Sequence, residues 1–347
     1  MAGAKPITIV GGGLAGLTLG IGLRQHGVPV TIHEAGHYPR HRVCGEFISG
    51  RGQDSLARLG LRELLDQAGA VSARTAAFFT ATKSSAPHLL PSPAICLSRF
   101  DLDVALAKKL RALGGKLLEG ERVAAEKIGE DLVHATGRRA QVEPGDSRWF
   151  GLKIHARNVA LAADLEMHVS ANGYVGLCKI NGGEVNVCGL FRKRAGNHDN
   201  SENGRDRLLG QPGSPLRERL AGATFDEDSF CAVAGLSLRP EQAAARSGLC
   251  VGDAITMIPP ITGNGMSMAF ESAELAVASL TAWSRDEISW SAARQKIACD
   301  CDAAFARRLA WAKWLQRLVL TPALQNPLAA LAARNDWFWR MAFEHTR

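Results

Sequence analysis

Residues 7–34 read ITIVGGGLAGLTLGIGLRQHGVPVTIHE. An apolar, β-branched run from Ile7 to Val10 meets a glycine cluster. Leu14 to His26 then repeats apolar residues at helical spacing, and Val28 to His33 forms a second apolar run. The order predicts a strand, a tight turn, a helix and a second, parallel strand. Gly11, Gly13 and Gly16 stand as G-x-G-x-x-G at the turn, and Glu34 closes the second strand 18 positions after Gly16. Gly11 allows the tight turn, Gly13 lets main-chain amides approach a pyrophosphate, and Gly16 lets the helix pack closely on the strand. Leu14 and Ala15 open the helix, whose unpaired amides stabilise phosphate charge. Glu34 is placed to accept both hydroxyls of an adenosine ribose. A dinucleotide site follows, although the motif alone does not separate NAD from FAD, since both contain ADP.

The 347 residues allow a large two-lobed unit, and 46% apolar residues supply its core. The opening MAGAKPITIVGGG lacks the long apolar stretch of a secretory leader, and no run of about 18 apolar residues could cross a bilayer. A cytoplasmic protein is expected, with peripheral membrane contact left open. Eight cysteines without CxxC spacing are read as reduced, mostly buried thiols, and no metal centre is expected. Of the net charge of +7, residues 294–347 supply +5, from nine Arg and Lys against four Asp and Glu. No basic stripe is interleaved with aromatics, so nucleic acid is not an expected partner.

Beyond the first unit, Leu102 to Leu113 reads as a helix, and KLLEG and ERVAAEKI as paired strands after it. Val71–Leu97 and Phe150–Phe191 hold short β-like runs, among them Leu165–Val169, Tyr174–Ile180 and Glu184–Leu190. Asn172-Gly173 and Gly182-Gly183 mark turns between them. The expected fold class is α/β: a Rossmann-like nucleotide domain (1–70, 98–148 and 240–295) with an inserted antiparallel β-sheet substrate domain (71–97 and 149–239). A C-terminal helical segment (296–347) follows.

The stretch LCVGDAITMIPPITGNGMSMAFESAELAV, residues 249–277, resembles the distal FAD motif of the glutathione-reductase-like flavoproteins, in the branch of p-hydroxybenzoate hydroxylase and geranylgeranyl reductase. The resemblance implies FAD as cofactor, with Asp253 on the ribitol chain and Gly252 on the pyrophosphate side. Pro260, Gly263, Asn264, Gly265 and Met266 would line the isoalloxazine, where the amides of a starting helix favour negative charge on the ring. In VHATGRR, Ala135-Thr136-Gly137 resembles the segment that closes the FAD domain in these families, and Val123 is expected near the cofactor. LSRFDLDVAL resembles the start of a flanking helix that places Arg99 at the phosphates.

The run HRVCGEFISG, residues 41–50, resembles a loop that reaches the flavin in geranylgeranyl reductases and related dehydrogenases. That implies a cysteine, Cys44, beside the redox centre with Arg42 nearby, conditions that depress a thiol pKa. Cys44 is a candidate catalytic group, and Glu46 a candidate acid or substrate contact. Lys153 and His155 alternate onto one strand face and, with His168 and Tyr174, are candidate substrate contacts that could polarise an oxygen or supply a proton. Asn186 and Cys188 belong to the same sheet. The aromatic YxWxFP-like segment of prenyl reductases is missing, and ATGRR replaces the DG-containing segment of the hydroxylases.

Together these features imply an FAD-dependent oxidoreductase, with monooxygenation of an apolar or aromatic small molecule as the leading reaction. The alternative is reduction of a carbon–carbon double bond, as in geranylgeranyl reductases; a non-catalytic electron-transfer flavoprotein stands third. One dinucleotide fingerprint implies that NAD(P)H binds transiently, or that a donor protein supplies electrons. Phe305, Leu309, Ala312, Leu315 and Val319 form the apolar face of a C-terminal helix, with Arg307, Arg308, Lys313 and Arg317 largely on its polar side. Pro322 and Pro327 are expected to interrupt it before Trp337, Phe338, Trp339 and Phe343. This tail either covers the substrate lobe or meets a membrane surface or partner.

The purified protein is expected to be yellow, with about one FAD per chain. Gly13→Val should weaken FAD binding by about tenfold or more, about 1.4 kcal/mol, because a side chain there blocks the pyrophosphate. A fluorescence titration showing full FAD affinity in that variant would place the cofactor elsewhere.

Overall fold

A computed structural model describes residues 4–123, 131–138, 147–194 and 204–334. In chain order the strands are β1 (Ile7–Val10), β2 (Val30–Glu34), β3 (Phe47–Ile48), β4 (Val71–Phe79), β5 (His88–Cys96), β6 (Lys116–Glu119), β7 (Leu132–His134), β8 (Ser147–Arg157), β9 (Leu165–Ser170), β10 (Gly173–Lys179), β11 (Val185–Arg194), β12 (Thr224–Leu236) and β13 (Leu249–Cys250). The helices are α1 (Leu14–Gln25), α2 (Arg51–Arg58), α3 (Arg62–Gln67), α4 (Arg99–Ala112), α5 (Pro215–Arg219), α6 (Gly265–Ser284), α7 (Trp290–Val319) and α8 (Pro322–Arg334).

Five strands form a parallel sheet in the order β13-β7-β1-β2-β6. Helix α1 packs among this sheet, α4 and α6, which explains why its apolar residues run all round it rather than along one stripe. Leu17, Leu19, Ile21 and Leu23 are fully buried, each contributing about 1.5–3 kcal/mol. The glycine spacing has a geometric cause. A Cβ on Gly16 would stand 2.0 Å from the Gly11 carbonyl oxygen, and Gly11, at φ +108°, would place one 2.3 Å from the carbonyl oxygen of Ala135.

The second sheet has eight strands in the order β12-β8-β11-β10-β9-β4-β5-β3. It is antiparallel, as expected, except where β4 and β9 pair in parallel. The chain between these two strands runs through β5, α4 and the nucleotide sheet, so no short turn imposes an antiparallel return. Strand β3 crosses the expected domain boundary: it follows the loop after β2, yet Phe47 pairs with Cys96 at the edge of the second sheet.

KLLE forms β6, which pairs in parallel with β2; most of ERVAAEKI, expected to pair with it, lies outside the described residues. Two further expectations change. The C-terminal helix starts earlier, at Trp290, and α8 begins at Pro322 and continues through Pro327. Pro322 suits a helix start, where its missing N–H costs nothing. Arg308 is not on the polar face. It is 3% exposed and forks onto Glu271 of α6, with Nη1 to Oε1 at 2.7 Å. Trp337, Phe338, Trp339 and Phe343 lie outside the described residues. Among the described residues, no helix is long and apolar enough to cross a membrane.

The Glu271–Arg308 fork joins α6 to α7. Arg308→Leu should destabilise the protein by about 3–5 kcal/mol, because it strands a buried carboxylate. The double variant Arg308→Leu, Glu271→Leu should recover most of that loss in urea unfolding; equal loss in both would mean that the side-chain volume matters and the charge pair does not.

Candidate active site

One cavity of about 640 Å³ lies between the two sheets and takes its walls from both, with the end of α7 closing one side. Two helices, α1 and α6, begin without a side-chain cap on its wall. The first turn of α1 carries no acidic residue, and Gly13 before it offers no side-chain cap; the same holds for α6 and Asn264. Each helix start therefore leaves amides and the positive end of its dipole toward the cavity. At Gly13 an added Cβ would meet nothing within 4 Å, so the main chain borders open space there.

Of the residues expected at the cofactor, Gly13, Leu14, Ala15, Arg42, Cys44, Arg99, Ala135, Thr136, Gly137, Asp253, Pro260, Gly263, Gly265 and Met266 line this cavity. The other expected cofactor residues are not on its wall. Gly11, Gly16 and Gly252 stand behind it in backbone packing: a Cβ on Gly252 would come 2.8 Å from that of Ala15. Asn264 is buried at the start of α6, and Val123 is half-buried beyond β6. Glu34 is 5% exposed, and its oxygens accept from the Gly12 and Gly36 amides, each at 2.8 Å, and from Arg40. Burial opposes its charge, yet these amides and the Arg40 and Arg42 charges hold its pKa below the ordinary value.

Arg99 forks onto the fully buried Asp103, with Nε to Oδ1 at 2.8 Å, and Arg42 reaches the same carboxylate at 3.2 Å. Two guanidinium groups are thus fixed at the wall. Burial raises the pKa of Asp253, and the Arg138 and Arg99 charges only partly offset it. A polar group on the wall with that environment fits a hydroxyl-bearing chain. Burial also pushes the Cys44 thiol pKa up, outweighing the Arg99 charge. This reverses the expected activation: desolvation penalises the thiolate more than one nearby cation favours it.

Glu46 lines the cavity and has φ +59°, uncommon for a residue with a side chain. Its carboxylate accepts from the Arg99 amide at 2.9 Å, meets His155 Nε2 at 2.7 Å and lies 3.5 Å from Lys153 Nζ. Burial opposes the charge of Glu46, but the His155 hydrogen bond and the two neighbouring cations hold its pKa below the usual range. Lys153 and His155 share a face of β8, as the alternation predicts. They sit behind Glu46 rather than on the cavity wall.

His168, also expected near substrate, is placed away from the wall. Its Nε2 bonds Glu166 at 2.8 Å, and its ring stacks on Phe79 at 4.4 Å. Tyr174 does line the cavity, with its hydroxyl unpartnered among the described residues. Asn186 donates to the Cys44 carbonyl at 3.0 Å, which fixes the loop. Sequence reasoning missed His41, Glu166 and Glu184. His41 stood in the quoted run HRVCGEFISG without being singled out; Glu166 and Glu184 carry no local motif.

Residues 5–158 match the family model described as FAD binding domain. No curated protein matches the chain significantly in sequence. Among solved structures, the flavin-dependent brominase Bmp2 is similar with a TM-score of 0.76 at 17% identity, covering 99% of this chain and 94% of its own. A flavoprotein/dehydrogenase from Cytophaga hutchinsonii has a TM-score of 0.75 at 14% identity, over 98% of this chain and 92% of its own. PqsL from Pseudomonas aeruginosa, a probable FAD-dependent monooxygenase, has a TM-score of 0.67 at 16% identity, over 99% of both chains. Residues 5–158 are therefore similar to an FAD binding domain, and over nearly its whole length the chain shares the fold of these three structures.

Proposed function

We propose that this chain is an FAD-dependent monooxygenase acting on an apolar or aromatic small molecule. The observation that carries the reading is a cavity that joins two uncapped helix starts to an apolar far wall. That wall includes Phe78, Met167 and Leu190 from the second sheet and Leu315, Leu318 and Val319 from α7. An apolar pocket with a few placed polar groups is the usual form of a small-molecule site.

Bound FAD supplies two-electron transfer and oxygen activation. The protein's share is binding and orientation. The α1 amides and the main chain at Gly13 would hold the pyrophosphate, with Arg42 and Arg99 adding positive charge. Asp253 would take hydroxyls of the linking chain, and the start of α6 at Gly265 and Met266 would favour negative charge on the ring. Phe78, Met167 and the α7 residues keep water away from the reacting end. NAD(P)H binds only in passing or gives way to a donor protein, since there is one dinucleotide fingerprint. Cys44 serves as packing at the loop, because burial keeps its thiol protonated.

Turnover should consume one oxygen per substrate oxidised, measured with an oxygen electrode across a panel of apolar and aromatic compounds with NADPH or NADH as donor. Equal or faster turnover without oxygen would replace this reading with double-bond reduction. Cys44→Ser should keep FAD bound and turnover within about tenfold, about 1.4 kcal/mol in the barrier. A larger loss in a folded, FAD-loaded variant would restore a chemical role for the thiol.

A further inference from the structure

The cluster behind Glu46 is unusual for a protein interior. Glu46 and Lys153 are fully buried and His155 is 2% exposed. His155 Nε2 lies 2.7 Å from Glu46 Oε2, and its Nδ1 lies 3.2 Å from Glu184 Oε2. Glu184 is half-buried, with Arg157 on its outer side at 2.8 Å. A neutral imidazole has one N–H and one lone pair, whereas a carboxylate only accepts. The Glu46 contact is a hydrogen bond and the Glu184 contact an ion-pair distance; carboxylates facing both ring nitrogens favour the form with a hydrogen on each, the imidazolium. Lys153 Nζ donates to His41 Nδ1 at 3.0 Å, which puts the His41 hydrogen on Nε2, and His41 is itself on the cavity wall. Burial and the Lys153 charge keep the His41 pKa below its ordinary value, so that ring is the neutral one.

Other groups around His155 fit this assignment. Asp226 lies across from it on β12 and Asn186 on β11, and the His41 ring meets it edge-on at 5.1 Å. Its own amide is held by Ser229 at 2.7 Å, which fixes the strand position. The positive φ of Glu46 costs backbone energy that the surrounding contacts must offset, as happens where a side chain is held for a task.

We propose that His155 is a proton reservoir for the cavity: its imidazolium, held between Glu184 and Glu46, gives a proton through Glu46 to an acceptor in the cavity and takes it back by the same atoms. The Nε2–H bond breaks as the proton passes to Glu46 Oε2 and then to the acceptor. His155 keeps its Nδ1–H on Glu184, and the cluster loses one positive charge. When the acceptor gives up the proton, the same route restores the imidazolium. Lys153, 3.5 Å away, favours the carboxylate form of Glu46 between transfers. The inference rests on the FAD reading only for the nature of the acceptor, a cofactor that takes up a proton on reduction.

The test uses the full chain labelled with ¹⁵N-histidine, in which His155 is one of ten histidines. In cofactor-free protein, NMR should show both His155 nitrogens protonated. After FAD loading and anaerobic photoreduction without substrate, the Nε2 signal should move to the unprotonated position while Nδ1 stays protonated. An indicator dye should then record about one proton more taken from solution by His155→Gln than by the wild type. If His155→Gln does not fold, Glu184→Gln, at the half-buried end, identifies the resonance by shifting it. A neutral His155 ring in the cofactor-free protein overturns the proposal, as does a ring unchanged by reduction. Because the first measurement needs no FAD and the second no substrate or oxygen, failure of the FAD or monooxygenase reading shows separately.

Discussion

The close approach of the Gly11–Gly16 turn to the strand end at Ala135 is the contact on which the rest of the structure depends. The Gly11 amide bonds the His33 carbonyl, and the Ala135 amide bonds the Val10 carbonyl, each at 2.8 Å. With three strand ends locked at one point, α1 has a single place to start. Its burial among the sheet, α4 and α6 fixes where α6 begins, and so the second helix start on the cavity. A side chain at Gly11 or Gly16 would force main chain from main chain, which flexible neighbours cannot absorb.

The loop from Glu34 to β3 carries that order outward. Its near end is tied by Glu34 to the Gly12 and Gly36 amides, and its far end pairs with β5 at the edge of the second sheet. Between them lie His41, Arg42, Cys44 and Glu46, all on the cavity wall. The electrostatics of this loop are set by pairing rather than by exposure. Glu34 and Glu46 are held below the usual carboxylate range because hydrogen-bond donors and cations meet them, while at Cys44 burial outweighs Arg99 and the Glu46 amide and favours the neutral thiol.

The parts of this architecture written in local patterns were legible in the chain. The glycine spacing, the helical repeats of α1 and α4, the turn pairs around β10 and the start of α6 all depend on neighbours within a few positions. What escaped reading depends on partners far away. Arg308 looked like a polar-face residue because of its charge, although three positions after Phe305 and four before Ala312 it falls on the apolar stripe; Glu271, 37 positions earlier, is the partner that lets it be buried there. The Glu46–His155 bond spans 109 positions, and neither residue sits in a motif that names the other. The parallel pairing of β4 with β9 likewise has no local signal, since both strands read equally well in either direction. The thiol of Cys44 was misjudged because proximity to arginine is visible in a sequence and desolvation is not.

The division of the cavity wall between elements has a bearing on how such a protein could change its chemistry over time. The end beside the glycine turn is built from main-chain amides and from glycines such as Gly11 and Gly16, whose substitution meets backbone. The far wall is built from Phe78, Met167, Leu190, Leu315, Leu318 and Val319, side chains on β4, β9, β11 and α7 that touch none of the glycine turn's hydrogen bonds. Swaps among apolar residues of similar volume at these positions cost under about 1.5 kcal/mol. A lineage could therefore reshape the far wall of the cavity while the glycine end stays constant, and the tolerance to variation is concentrated on the side chains of the second sheet and α7.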